Sequence, residues 1–281
     1  MAIAVIQEAD LRPLFRYAFG VEYDGSAYHG WQIQAGGVSS VQAEVERALG
    51  RVANEPVAVV CAGRTDTGVH ATYQVIHIDT HAVRPERAWV MGTNTYLPRD
   101  ISIRWSRRVD DQFHARFGAL ERRYRYVIYN ADVMPALLAR QLTWTFKVLD
   151  VGRMQAAANY LLGEHDFTSY RAVACQAHSP VRDVRRLQVT RYGQLVVIDV
   201  VANAFLHHMI RNIAGVLMKI GAGEAEPVWA REVLEARDRR LGGVTAPPFG
   251  LYFVDAKYPE RFGLPRTHAR SAPITNQSYH A

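Results

Sequence analysis

The sequence lacks the cysteines of a disulfide-stabilised protein, since Cys61 and Cys175 are the only two among 281 residues. Two cysteines in a chain of this size exclude a disulfide scaffold and favour a reducing compartment. The first ten residues, MAIAVIQEAD, have no basic leader and reach Glu8 and Asp10 at once, which argues against a signal peptide. No apolar run approaches the roughly 20 residues that a membrane span requires. We therefore expect a cytoplasmic protein that is not embedded in a membrane.

The usual signatures of cofactors are also absent. Neither the G-x-x-x-x-G-K-[ST] loop nor the G-x-G-x-x-G loop occurs, so no cradle for a nucleotide cofactor is visible. Cys175 and His178 are close in sequence and His207 and His208 are adjacent, but no set has the spacing of a structural zinc site. The sequence therefore predicts no cofactor and no metal, and an enzyme of this kind would work with its side chains alone.

What the sequence does contain is typical of a globular protein with a basic surface. Hydrophobic residues make up 49% and charged residues 21%, which argues against disorder. The formal net charge is +6. This mild basic bias suggests a polyanionic partner without proving one.

Local patterns predict a mixture of strands and helices along the whole chain. Strands are predicted at 14–23, 57–62, 73–79, 101–109, 124–129, 181–190, 195–201 and 251–254, and helices at 41–52, 85–96, 151–162, 205–220 and 226–238. We expect two similar halves, 14–110 and 111–264, that share one sheet. Residues 1–13 and 265–281 are expected to be tails, the second of them poorly ordered.

Residues 61–71, CAGRTDTGVHA, follow an almost wholly apolar run. One interpretation is a surface turn in which Asp66 caps its own backbone, as Asp-x-Gly triplets commonly do. The other is an anchored carboxylate placed for chemistry, as a nucleophile or as the stabiliser of a cation, which Arg64 would keep ionised if the turn brings the two side chains together. Aspartic proteases share the triplet Asp66-Thr67-Gly68, but they need a second carboxylate, and no second Asp-Thr-Gly is present.

Residues 205–220 show a strong helical pattern with two different faces. The apolar stripe consists of Phe205, Leu206, Met209, Ile213, Val216, Leu217 and Ile220. The opposite face carries His207, His208, Arg211, Asn212 and Lys219. That face is either a solvated polar surface or a cationic wall that faces an anion or the carboxylate of Asp66, and both interpretations stay open.

Tyrosines and arginines alternate in the predicted strand 124–129. Tyr124 and Tyr126 share one face of the strand, and Arg123 and Arg125 share the other. Such a pattern suits a surface that stacks bases and binds phosphates. Aromatic residues in strands are nevertheless more often part of the core.

Several motifs together resemble the TruA-type family of tRNA pseudouridine synthases. They are FGVEYDGS (19–26) with YHGWQ (28–32), AGRTDTGVHA (62–71), FHARF (113–117) with RRYRY (122–126), AFLHHMIRNIAG (204–215) and APPFGLY (246–252). The resemblance runs from about residue 14 to about residue 264, and only the two ends lie outside it.

The resemblance implies roles for five residues. Asp66 corresponds to the catalytic aspartate of the family, and Tyr124 corresponds to the tyrosine that packs on the target uracil. Arg64 resembles the arginine that helps to extrude the base and fills its place in the stack. Arg211 resembles the basic residue that pairs with the aspartate, and Leu251 resembles an apolar residue that lines the pocket.

The resemblance also implies a fold and an activity. The fold would be α+β, with two related α/β halves that share one continuous mixed, mainly antiparallel sheet flanked by helices. The activity would be isomerisation of uridine to pseudouridine at positions 38, 39 and 40 of the tRNA anticodon stem-loop, by a homodimer that needs no cofactor. Whether the aspartate attacks the sugar or removes a sugar proton stays open. The alternative is a non-catalytic RNA-binding protein, which would need the basic face but not Asp66.

Overall fold

The computed structural model describes residues 12–173, 175 and 177–265. Within them the chain forms ten strands and five α-helices. The strands are β1 (Phe15–Tyr23), β2 (Val60–Cys61), β3 (His70–Thr80), β4 (Ile101–Val109), β5 (Glu121–Asn130), β6 (Thr143–Thr145), β7 (Gly163–Asp166), β8 (Val181–Tyr192), β9 (Leu195–Ala202) and β10 (Leu251–Lys257). The helices are α1 (Val41–Ala53), α2 (Glu86–Tyr96), α3 (Val151–Asn159), α4 (Met209–Gly221) and α5 (Trp229–Ala236). Of the predicted tails, 1–13 and 265–281, residues 1–11 and 266–281 lie outside the described residues.

The ten strands of the described residues form one sheet in the order β4-β1-β3-β10-β5-β9-β8-β7, with β2 added to β3 and β6 added to β5. Their pairings are antiparallel, apart from β10 with β3 and β5 with β6. This arrangement confirms the predicted α+β fold with one continuous, mainly antiparallel sheet flanked by helices.

The last strand of the chain, β10, lies inside the sheet rather than at its edge. It runs parallel to β3, where Tyr252 is opposite His70, and antiparallel to β5, where Leu251 is opposite Tyr126. β10 thus joins the strands of 14–110 to those of 111–264. The division of the chain at residue 110 stays a prediction.

The main core lies on the face of the sheet that the helices cover. α4 is the most deeply buried helix and packs on α3 and β5. Its apolar stripe from Met209 to Ile220 faces the core, as the sequence predicts. The opposite face of the sheet has a small apolar cluster of its own, formed by Val127, Leu142, Val197, Tyr252 and Val254. None of the helices in the described part of the chain has both the length and the apolar character that crossing a membrane demands.

Three strands differ from the sequence prediction. The apolar run 57–62 forms only the two-residue strand β2. β2 pairs with β3 at Ile76 and His77, and β10 pairs with the same edge of β3 at His70 and Ala71. β6 and β7 were not predicted, and at three and four residues they are too short to show a period.

Candidate active site

A cleft of about 940 Å³ lies between the loop that joins β2 to β3 and the segment that leads from β9 into α4. All five residues singled out from the sequence line it: Arg64, Asp66, Tyr124, Arg211 and Leu251. Five of its described lining residues are arginines (Arg64, Arg116, Arg122, Arg182 and Arg211), whereas Asp66 is the one acid. The walls are therefore strongly cationic around a single carboxylate.

The loop that carries Asp66 is fixed by buried hydrogen bonds. The hydroxyls of Tyr23 and Thr65 lie 2.7 Å apart. The side-chain amide of Gln74 donates to Gly63 O at 2.6 Å, and its oxygen accepts from Gly63 N at 3.3 Å. Beyond Asp66 the chain turns at Gly68, whose φ of +76° favours glycine. These bonds hold the carboxylate still, as the second interpretation of the turn requires.

The carboxylate of Asp66 faces three basic side chains of the segment that leads into α4. Its Oδ1 lies 3.2 Å from His207 Nε2, and its Oδ2 lies 3.4 Å from His208 Nε2 and 3.7 Å from Arg211 Nη1. His207, His208 and Arg211 thus form a basic wall against the carboxylate of Asp66, which is one of the two arrangements that the sequence left open, and Arg211 is its permanently charged member. Among the described residues the ion pairs of Asp66 go to this wall and not to Arg64, which is exposed at the rim of the cleft.

The wall depends on where α4 begins, which is later than the sequence predicts. α4 starts at Met209, whereas the apolar periodicity predicts a start at Phe205. His208 precedes the helix with a left-handed φ of 61°. Consecutive residues of a helix point about 100° apart, so the break lets His207 and His208 both contact Asp66. Asn212, expected on the polar face, is instead buried and donates to Tyr170 O at 2.8 Å.

Burial lowers the pKa of His208 below its ordinary value, although the negative charge of Asp66 opposes that effect. The lowered pKa favours the neutral imidazole of His208 at pH 7. Arg211 is anchored from behind, because its Nε donates to Ala246 O at 2.8 Å. The motif around residue 246 thus supports the wall.

Tyr124 lies beside the Asp66 loop in an aromatic cluster. Its ring makes edge contacts with Phe205 at 5.0 Å and with Phe253 at 4.9 Å between ring centroids. Burial raises the pKa of the Tyr124 phenol, and the charge of Asp66 adds to the effect. Leu251 begins β10 and adds an apolar surface to the same cleft.

The alternation in β5 separates two faces with different tasks. Arg123 and Arg125, on the face away from the cleft, both pair with Asp199. Tyr126 is buried and shares a hydrogen bond with Thr143. Tyr126 is therefore a core residue rather than a base-stacking one. Of the two tyrosines on this face of the strand, only Tyr124 reaches the cleft.

Arg122 and Gln74 support the site, although neither was predicted as a site residue. Arg122 donates to Ala62 O, Ala119 O and Asn203 O, and so connects the loop that carries Asp66 to the turn after β9. Its place in the RRYRY motif is a signal that could have identified it. Gln74 has no such signal, because a polar residue within a strand does not reveal its partner.

Potential metal-binding and thiol groups also line the cleft. Asp66, His207 and His208 offer one ligand atom each within 4.8 Å of one another, although they are 141 positions apart in sequence. Spacing along the chain could not reveal this set. Burial raises the pKa of the Cys61 thiol to about 12, so Cys61 is inert at neutral pH.

Comparison with known proteins places this geometry in a family. A family model described as tRNA pseudouridine synthase matches residues 20–118 and 157–259. The chain is 59% identical to tRNA pseudouridine synthase A of Pseudomonas aeruginosa, over 90% of this chain and 89% of that protein. It is 58% identical to the protein of that name from Alcanivorax borkumensis, over 89% of this chain and 94% of that protein. The chain belongs to the tRNA pseudouridine synthase family.

Membership confirms the resemblance seen in the sequence and makes the chain an isomerase by family. The alternative of a non-catalytic RNA-binding protein is not favoured. The ranges matched by the pseudouridine synthase family contain Arg64, Asp66, Arg211 and Leu251, while Tyr124 lies in the interval between them. The roles of these five residues are taken up as proposals below.

Proposed function

We propose that the protein isomerises uridine to pseudouridine at positions 38, 39 and 40 of the tRNA anticodon stem-loop. The observation that carries the proposal is the single carboxylate of Asp66, held by three basic groups in a cleft lined by five arginines. Names of relatives that are 58–59% identical support the same activity. The reaction is an isomerisation, so neither a redox cofactor nor ATP is required.

The first step brings the target base out of the stem. Extrusion from the stack costs a few kcal/mol. Arg64, exposed at the rim, fills the vacated place in the stack, and the arginines of the walls hold the phosphates. The extruded uracil lies against Tyr124, with Leu251 as the apolar lining of the pocket.

Asp66 then acts on the sugar. Breaking the C1′–N1 bond develops positive charge at the sugar, and a fixed carboxylate stabilises such charge, as in glycosidases. The base turns, C5 bonds to C1′, the proton on C5 is lost to solvent and N1 gains a proton. Arg211 and the two histidines keep the carboxylate oriented throughout.

Replacement of Asp66 tests the proposal. Asp66→Ala and the isosteric Asp66→Asn should abolish tritium release from tRNA that carries C5-tritiated uridine, because no other acid lines the described cleft. Binding of tRNA and the far-ultraviolet circular dichroism should be retained. The control is Asp132→Asn, an exposed aspartate outside the cleft, which should release tritium at the wild-type rate. Undiminished release by either Asp66 variant would contradict the proposal.

We further propose that the protein works in the cytoplasm as a homodimer, with the tRNA held across both subunits. A cleft open to solvent and a net charge of +6 suit a large anionic substrate. Light scattering coupled to gel filtration should give twice the chain mass of 31.6 kDa. A mass of one chain at micromolar concentration would contradict the dimer.

A further inference from the structure

We propose that Asp66, His207 and His208 form a binding site for a divalent transition-metal ion of the zinc type, and that the bound ion competes with the uridine for Asp66. The proposal assigns an inhibitory site, since the isomerisation itself needs no metal. Its binding part rests on the geometry of the three side chains alone, and its competitive part rests on the proposed function.

The distances fit a tetrahedral ion. Zinc binds histidine nitrogen and carboxylate oxygen at about 2.0–2.2 Å, so two ligands at a tetrahedral angle lie about 3.4 Å apart. His207 Nε2 is 3.2 Å from one oxygen of Asp66, and His208 Nε2 is 3.4 Å from the other. The three ligand atoms together lie within 4.8 Å, a spread that small rotations of the imidazole rings reduce.

The backbone holds the two imidazoles in place for this arrangement. The left-handed conformation of His208 brings its ring within 4.1 Å of the His207 ring, between centroids, at an interplanar angle of 43°. A left-handed backbone at a residue other than glycine is strained and tends to occur at functional sites. The backbone therefore places both imidazoles beside the same carboxylate.

The site has the composition and the access of an open metal centre. Two imidazoles and one carboxylate are ligands that zinc and its neighbours in the first transition series accept. The side chains of His207, His208 and Asp66 are 44%, 28% and 24% exposed, so an ion can enter from the cleft. Three protein ligands leave a fourth position for water, as in metal centres that exchange their outer ligand.

Arg211 sets the strength of binding. Its guanidinium lies 3.7 Å from Asp66 and repels a cation at the same carboxylate. The site is therefore weaker than a structural zinc site, and removal of this charge should strengthen it. A merely adventitious surface histidine would not respond to Arg211 in this way.

Cobalt(II) titration of the full-length, tag-free protein in the absence of RNA tests the binding directly. Four-coordinate Co²⁺ absorbs in the visible range, and we expect such a band to appear and to saturate. His207→Ala and His208→Ala should each weaken Co²⁺ binding about tenfold or more, whereas Arg211→Gln should tighten it severalfold. His165→Ala removes a histidine outside the cleft, and Co²⁺ binding should be unchanged.

Cys175 and His178 line the same cleft and could bind Co²⁺ in place of the proposed ligands. Cys175→Ser should leave the Co²⁺ band and its affinity unchanged, and loss of binding in this variant would overturn the proposal. So would the absence of a saturable band in the wild-type protein, or a band that survives in both histidine variants. Circular dichroism of each variant shows that lost binding does not reflect lost folding.

Competition is measured separately. Zn²⁺ should inhibit tritium release in competition with tRNA, and EDTA should reverse the inhibition. If Co²⁺ binds as described but the protein has no synthase activity, the proposed function fails and the metal site stands. If the enzyme is active and Zn²⁺ binds without competing with tRNA, the competitive part of the proposal is wrong.

Discussion

Among single residues, Asp66 has the most unusual surroundings, because one carboxylate is shared by two imidazoles and a guanidinium. In a polar environment open to water each of these ion pairs contributes little free energy by itself. Together with the buried bonds of Thr65 and Gly63, however, they leave the carboxylate few other orientations. Such orientation before the substrate arrives is what electrostatic catalysis requires.

His77 should make stability depend on pH. Its Nδ1 accepts from Ala115 N at 3.1 Å. Burial lowers the pKa of His77 from 6.5 to about 4, and the charge of Arg16 adds to the effect. Because folding favours the neutral imidazole, its contribution to stability is present above pH 6.5 and is lost as the pH falls toward 4. Between pH 7 and pH 5 we expect a loss of about 2 kcal/mol.

Urea unfolding at the two pH values measures this loss. His77→Gln keeps a hydrogen-bond acceptor for Ala115 but does not titrate, so its stability should fall less over the same range. Equal losses in the wild-type protein and in His77→Gln would assign the pH dependence to other groups.

The sequence predicts the identity of the site residues better than their contacts. The motif resemblance singled out four residues, and the structure places all of them in one cleft: Asp66, Tyr124, Arg211 and Leu251. Periodicity could not find the break at His208, because the apolar stripe continues through Phe205 and Leu206 whether or not those residues are helical. Arg64 was expected to keep Asp66 ionised only if the turn brought their side chains together, and the described ion pairs of Asp66 go to His207, His208 and Arg211 instead.

At the scale of elements, the loop between β2 and β3 depends on close contact with the segment that follows β1. Trp31 N donates to Thr65 O at 3.0 Å, and Gly30 lies directly against the same peptide. A Cβ at Gly30 would be 2.7 Å from Thr65 O, and the residue has a φ of +91°. Packing between these two segments therefore sets the position of Asp66.

Gly30→Ala should displace the loop and reduce catalysis. Gly36 provides a matched control, because its φ is +89° and a Cβ there meets nothing within 4 Å. Both variants should lose about 1–2 kcal/mol of stability from backbone strain. Only Gly30→Ala should also lose kcat in the tritium-release assay, by about tenfold to a hundredfold, since a small misplacement of a reacting group has effects of this size. Equal kcat values for the two variants would show that this contact does not position Asp66.

Most elements could be predicted from periodicity, and the exceptions have physical causes. The long strands and the helices α1 to α5 have enough residues for a period of two or 3.6 to show. Val57, Val59, Cys61 and Ala62 pack on the core, but only Val60 and Cys61 pair with a neighbouring strand. Apolar character predicts burial, whereas strand formation also needs a partner.

The charge distribution of the whole molecule should control tRNA binding. Five arginines line the cleft, and each phosphate contact contributes about 0.7 to 0.9 to the slope of log affinity against log salt concentration. Arg116→Gln should reduce the magnitude of that slope by about this amount and weaken binding at low salt.

Filter binding or fluorescence anisotropy between 50 and 300 mM salt, a range of about sixfold, measures the slope. Arg87→Gln is the control, because Arg87 is an exposed arginine of α2 outside the cleft. A slope that changes equally in the two variants would mean that general charge, and not the cleft, attracts the RNA.

The central position of β10 has a consequence for the newly made protein. Partners in the β10–β3 pairing are separated by about two thirds of the chain, and Leu251 at the start of β10 supplies one wall of the cleft. During translation β1, β3 and β4 can pair early, but β3 must wait for its inner neighbour until nearly the whole chain has left the ribosome. The cleft is thus completed among the last events of synthesis, because a chain that terminates before residue 251 carries Asp66 but lacks Leu251 and the strand that follows it.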